Sequence, residues 1–497
     1  MNEARARVLM LLAAAAILTS ICGWAGAQTA ATTRPADANA ASTVAEPTSQ
    51  DLDFFSEPWF KKVKNPVPWF SWGADLRIRD EYFNNIKVYQ STKPDGSPNV
   101  TLNKNAIGHE TNWGRYRTRL WTTVTPVKDV DINARLVWEF RTFSAPDMYD
   151  LRSTDLSEAL FDNLNVKTKN FLGLPVTVTT GRQDIILGDG WLVLDGTPRD
   201  GSRTIYFDAI RATTEFKDAN TTVDTIYIQQ YAQQDKYIKP FNDEYLPMME
   251  QNERGAILYA TNKSLKDTEI SPYFIYKQDT PVDYPGIVSV PADIYTFGVR
   301  VARQFDEHWQ GRAEIADQLG HKNYQDLCAL GFNSRLSYFV NDKLNNNFRL
   351  AYEFLSGDRP GTSSTNEQFD PLWGRWPQFS ELWACLDGSE FRPGETTNLQ
   401  RVGPGWSISP TPKMEFLADY YLMFANQNTF GSGPKQKPGF SDDGLFRGQL
   451  MTFLLKYKFN DHMQGHLLSE FFFPGNYYTS LKNDWATFLR AEMVFTW

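Results

Sequence analysis

Arg115, Arg117 and Arg119 alternate with Tyr116, Thr118 and Leu120, and that spacing allows very few folds. A period of two is strand periodicity: successive side chains point to opposite faces, so three guanidiniums share one face and an apolar set the other. The same division recurs on both sides of this segment. In 74–82, Asp75, Arg77, Arg79 and Glu81 oppose Leu76, Ile78 and Tyr82; in 131–141, Asp131, Asn133, Arg135, Glu139 and Arg141 oppose Ile132, Ala134, Leu136, Trp138 and Phe140. A guanidinium facing lipid at a bilayer midplane costs about 2–4 kcal/mol, whereas one facing a wet interior stays hydrated or pairs with an acid. A closed sheet with its charged face inward and its apolar face in lipid satisfies both sets.

Segments of the same kind continue at 160–169, 175–184, 204–214, 222–231, 252–262, 269–277, 294–304, 309–318, 326–338, 347–356, 398–408, 414–424, 446–459, 463–473 and 485–497. The fold expected is all-β, a transmembrane antiparallel β-barrel of about 18 strands, with 16 as the alternative count. The links support it. They are long at 83–111, 142–159, 185–203, 232–251 and 278–293, and short at 124–130, 170–174, 215–221, 263–268 and 305–308. Short periplasmic turns alternating with long extracellular loops are the habit of outer-membrane barrels. The link at 319–325 is short where a long one is due. The longest, 357–397, is rich in Trp and Pro and is expected to fold over or into the pore. The last strand sets Leu489, Ala491, Met493, Phe495 and Trp497 on one apolar face and ends on that aromatic.

A mean hydropathy of -0.45 would suit a soluble protein, yet 14% of residues are aromatic. A barrel reconciles the two, because only alternate residues meet lipid. Arg5 and Arg7, the apolar run from Val8 to Ile21 and Ala25-Gly26-Ala27 form the three parts of a secretory signal peptide over 1–27. Residues 28–69 read as a flexible periplasmic leader and 70–497 as the barrel. The formal net charge of -9 argues against nucleic-acid binding. Cys328 and Cys385 leave room for one disulfide. No cofactor is expected, and no metal: His462 and His466 lack further ligands, and Gly188-Asp189-Gly190 opens no helix pattern that could cradle phosphate.

Parity sends Arg77, Arg79, Arg115, Arg117, Arg119, Arg135, Arg141, Arg312, Arg349 and Arg490 inward, with Glu81, Glu139, Glu314, Glu353 and Glu492 beside them. Two readings of these arginines stand side by side. They form a track for an anionic solute, since guanidinium stays charged and grips carboxylates through paired hydrogen bonds; or Arg–Glu ladders tie neighbouring strands together.

Gly181-Arg182-Gln183-Asp184-Ile185-Ile186-Leu187-Gly188-Asp189-Gly190, followed by Phe207-Asp208-Ala209-Ile210-Arg211, resembles the alginate export family of outer-membrane barrels. A second match is Tyr352 to Asp358, running into Phe369 to Pro377. The resemblance spans roughly residues 70 to 497. It implies an 18-stranded monomeric barrel, set in outer-membrane lipid, that passes an anionic exopolysaccharide through an arginine-rich constriction, with periplasmic export components as partners. It carries over Arg182, Asp184, Asp208 and Arg211 as lumen or constriction residues; the alternative for these is strand-end structure. One departure is the last periplasmic turn, Asn460 to His462, which is too short to close the mouth as the family's long turn does. Two other functions compete: a substrate-specific porin for small acids or oligosaccharides, and a secreted all-β polysaccharide-degrading enzyme.

Overall fold

Eighteen amphipathic strands leave an unpaired edge at each end of their sheet unless the first meets the last. In the computed structural model they meet. It describes residues 58–85, 110–144, 154–194, 206–233, 236–242, 251–282, 289–362, 364–374, 377–387, 396–437, 439–479 and 483–497; the signal peptide expected over 1–27 and the leader up to residue 57 lie outside these.

The strands are β1 Phe70–Asn84, β2 Glu110–Val127, β3 Val130–Phe143, β4 Thr154–Thr168, β5 Val176–Gln183 and β6 Phe207–Phe216. Next come β7 Thr221–Gln230, β8 Gln251–Asn262, β9 Thr268–Pro281, β10 Ala292–Gln304, β11 Trp309–Lys322 and β12 Gln325–Phe339. The last six are β13 Asn347–Leu355, β14 Leu399–Thr411, β15 Met414–Phe424, β16 Phe446–Lys458, β17 Met463–Pro474 and β18 Ala486–Thr496. Each pairs antiparallel with its neighbour in sequence. The ring closes through ten aligned pairs between β1 and β18, from Asp75 opposite Thr496 to Asn84 opposite Thr487. Trp497 seals the seam, exchanging backbone hydrogen bonds with Ala74. A two-residue stretch, Thr365–Asn366, adds a parallel pairing to β12.

The alternation read from the sequence is the alternation of faces. Leu120, Phe297, Leu350 and Leu467 stand 45–55% exposed on the outside, while Thr296, Ala351 and Leu468, their neighbours in sequence, are under 10% exposed. The links alternate in length as expected. Where the external link at 319–325 is short, the structure makes a two-residue hairpin: Asn323 and Tyr324 both take positive φ, 54° and 62°, the conformation whose twist matches paired strands.

Two details add to the sequence reading. Residues 58–64 of the leader form a short helix, α1 (Pro58–Lys64), tied to β1 because Trp72 Nε1 donates to the Val63 carbonyl at 2.9 Å. Cys328, half-buried on β12, forms no disulfide.

Candidate functional site

The bore is not empty. The described parts of the link after β5 (184–194) and of the link after β13 (356–362, 364–374 and 377–387) enter the barrel from the long-loop end and pack on each other. Trp373 N–H donates to the Leu192 carbonyl at 2.9 Å, and Val193 bridges Trp373 in parallel. Trp191 stacks on Phe369 with ring centroids 5.5 Å apart. Ile185, Phe369, Leu382 and Trp383 are at most 1% exposed, so this plug has an apolar core. The described residues of the 357–397 link do fold into the pore. Residues 185–194 of the 185–203 link, expected to be an ordinary external loop, do so as well.

Wall polar groups hold the plug. Trp373 Nε1 donates to Glu253 on β8 at 2.8 Å, and Trp191 Nε1 donates to Glu353 on β13 at 3.0 Å. Gln318 on β11 exchanges two 2.8 Å bonds with the Asp370 backbone, and Lys322 sits 2.7 Å from the Asp370 carboxylate. The short helix α2 (Glu381–Asp387) lies against β17 and β18: Leu382 N–H donates to Glu470 at 2.7 Å, and Arg490 reaches Glu381 at 3.2 Å. At the inner tip Asp189 pairs with Arg300 at 2.8 Å and with Arg312. Burial would raise the Asp189 carboxyl, but the Arg312 and Arg300 guanidiniums outweigh it and hold it down at about 2. A depressed carboxyl stabilises above the ordinary carboxylate range and loses that contribution only as pH falls through its folded value. This latch should therefore leave conductance flat from about pH 4 to about pH 8. Asp189→Asn at neutral pH should instead free Arg312 and raise anion selectivity, read from bilayer reversal potentials.

The arginines divide into two classes. Arg77, Arg79, Arg115 and Arg490 are 2–3% exposed and lie in one ion-pair network across β18, β1, β2 and β3. Arg77 meets Glu139 at 3.0 Å, Arg115 meets Glu139 at 3.0 Å and Glu81 at 3.2 Å, and Arg490 meets Glu81 at 2.7 Å. Arg79 pairs with Glu492, Arg119 with Asp75, and Arg117 lies 3.8 Å from Asp75. Arg141 packs over Trp113, 4.9 Å from the ring centre. This is ladder geometry, with guanidiniums sunk among carboxylates of adjacent strands.

The second class borders water. On β11–β13, Arg312 stands directly opposite Arg335, and Arg349 is one step along, opposite Ser337. Arg312 and Arg349 are tied to Asp189 and Asp419. Arg335 is exposed on the inward face and has no carboxylate partner among the described residues. It lies four residues from the short-turn end of β12, about 13 Å along the strand. Nine strands away, and so on the opposite wall of an 18-strand ring, a cavity of about 680 Å³ holds Arg119, Arg135, Asp184 and Arg211. Arg135 bonds Asp162 at 2.7 Å and Asp184 at 2.8 and 2.9 Å; Arg211 grips Asp224 through two 2.9 Å bonds.

Arg182 and Asp208 stand elsewhere. Thr177, Thr179 and Gln183 line the cavity, so Arg182 has the opposite parity, facing Leu164 and Asp208 across the ladder. Gly181, at φ 119°, brings the backbone so close to β4 that a Cβ would come within 2.5 Å of the Leu164 carbonyl. Arg182 then donates to the Phe161 carbonyl at 2.7 Å, stacks 3.7 Å from the Tyr206 ring and pairs with Asp208 at 3.0 Å. These two close the wall where β5 stops short; they are not lumen residues. Arg335, by contrast, was within reach of the same parity rule, on the face of Asn333 and Ser337. Its small neutral neighbours made no visible charge ladder.

A family model described as alginate export matches residues 68–490, most of the chain. The chain belongs to the alginate export family. No curated protein matches its sequence. Its fold is similar to three solved outer-membrane structures from Pseudomonas aeruginosa. OccK7 (OpdD) is 11% identical at a TM-score of 0.51, over 86% of this chain and 98% of that one. OccK2 (OpdF) is 9% identical at 0.51, over 86% and 98%. The outer membrane protein OprD is 10% identical at 0.50, over 86% and 94%. A member of the alginate export family with this closed barrel is a protein of the bacterial outer membrane, so its short-turn end faces the periplasm.

Proposed function

We propose that the chain is a monomeric outer-membrane pore that exports an acidic polysaccharide from the periplasm, a transporter and not an enzyme. The observation that carries this reading is Arg335, exposed and without a carboxylate partner among the described residues, beside Arg312 and Arg349 in the periplasmic half of the bore. A cation there meets a polyanion where it enters. Guanidinium suits the task because it stays charged and bonds a carboxylate through two parallel donors. The described plug residues pack toward the opposite, extracellular end, so Arg335 lies on the side from which an exported chain arrives.

Planar bilayers test this. Polyuronate added on the periplasmic side should interrupt the current in brief events, and the same polymer on the other side should do so far less. A neutral glucan that blocked equally well would overturn the reading. The plug also favours a second reading, a porin for small acids, because a polymer needs the loops to move aside and a small acid does not. On that reading small dicarboxylates permeate liposomes freely and polyuronate has no effect from either side.

A further inference from the structure

An electrostatic passage needs only cations, yet the cavity on β2–β6 is built of more than cations. Trp121 lines it. The ring lies across β1 at Gly73, its direct cross-strand partner, where any Cβ would come within 2.6 Å of the indole. Gly73 is thus what lets a large ring lie flat along the inner wall. The indole N–H has no hydrogen-bond partner among the described residues. Trp121's partner on the other side is Arg135, held immobile by its bonds to Asp162 and Asp184. Below runs a ladder of amides: Asn133 donates to Asn165 at 3.0 Å, and Asn165 donates to Asn163 at 2.7 Å. Lys167, at the cavity edge, makes no ion pair among the described residues.

A flat aromatic face, fixed amides and a loose cation on one wall match the parts of an acidic sugar: an apolar ring face, hydroxyls and a carboxylate. A cavity of this volume is of ligand size, and an indole offers contact area at one edge and a donor at the other. We propose that this cavity is a saccharide subsite, holding a short stretch of a uronic-acid chain with one ring stacked on Trp121, hydroxyls on the Asn133–Asn165–Asn163 ladder and a carboxylate toward Lys167. This rests on the reading of the pore as a polysaccharide exporter, and it adds recognition of the sugar to recognition of the charge.

Calorimetric titration of the full-length protein in detergent, with a β-1,4-linked uronate tetramer, a neutral glucose tetramer and citrate as probes, tests it. The wild type should bind the uronate tetramer, and citrate, a compact anion with three carboxylates against the tetramer's four, should bind more weakly. Trp121→Ala should weaken tetramer binding by about tenfold, the loss of one ring contact. Trp121→Phe should restore most of it. Heat-modified gel mobility shows whether each variant is a folded barrel, and the reversal potential of each should equal the wild type's. Tetramer affinity unchanged in a folded Trp121→Ala barrel, or citrate binding as tightly as the tetramer, would overturn the subsite. A cation-selective wild type would instead remove the exporter reading itself, so the two failures are distinct.

Discussion

Trp373→Ala should open the pore. The indole is 5% exposed, donates to Glu253 and fits against Gly255 of β8, where a Cβ would come within 2.2 Å of the ring. Truncating a buried Trp costs about 3–5 kcal/mol, and here the loss falls on a residue that bonds both the other inward loop, at Leu192, and the wall, at Glu253. The barrel has its own seam and its own ladder of hydrogen bonds, so it should stay closed while the plug loosens. Single-channel conductance should rise and current noise should increase. Gly255→Val tests the same seat from the wall side: a side chain at 255 displaces the ring, and conductance should rise as it does for Trp373→Ala. If either variant conducts like the wild type with a folded barrel, the packed loops do not limit the current.

Glu81→Ala should destabilise the barrel strongly and leave its selectivity alone. Glu81 is 1% exposed, pairs with Arg115 and Arg490 and accepts a 2.7 Å bond from Trp113 Nε1. Removing one partner of a buried ion pair costs about 3–5 kcal/mol, because the charges left behind have neither water nor counterion. The cost should appear as a lower denaturant midpoint for unfolding. Glu81→Gln, which keeps an acceptor for Trp113, should cost less. A selectivity change as large as that of an Arg335 variant would mean that passing ions feel Arg115 and Arg490, and that these arginines are a track after all.

The wall was legible in the sequence and the plug was not. Each of the eighteen strands overlaps one of the segments picked out by the period-two pattern, because one face must be greasy and the other wet along the whole strand. Residues such as Leu489 and Arg490 could not exchange places at any acceptable cost. No such constraint acts on a loop. Trp191, Phe369, Trp373 and Trp383 meet by tertiary packing between segments about 180 residues apart, and no periodicity announces that. Burial also decided what parity could not. Arg115 and Arg335 both point inward, but only the structure shows one sunk among carboxylates and the other in water. The Gly-Arg-Gln stretch misled in the other direction: its match to a family motif suggested the lumen, while plain alternation from Thr177 to Gln183 already set Arg182 on the other face.

The bore favours anions because Arg335 faces it with no carboxylate partner among the described residues. The reversal potential of the purified protein in a planar bilayer under a KCl gradient measures this directly. Wild type should reverse on the chloride side, and Arg335→Glu should shift the reversal potential toward potassium while the barrel stays folded. A wild type that favours potassium, or an Arg335→Glu pore with an unchanged reversal potential, would contradict it.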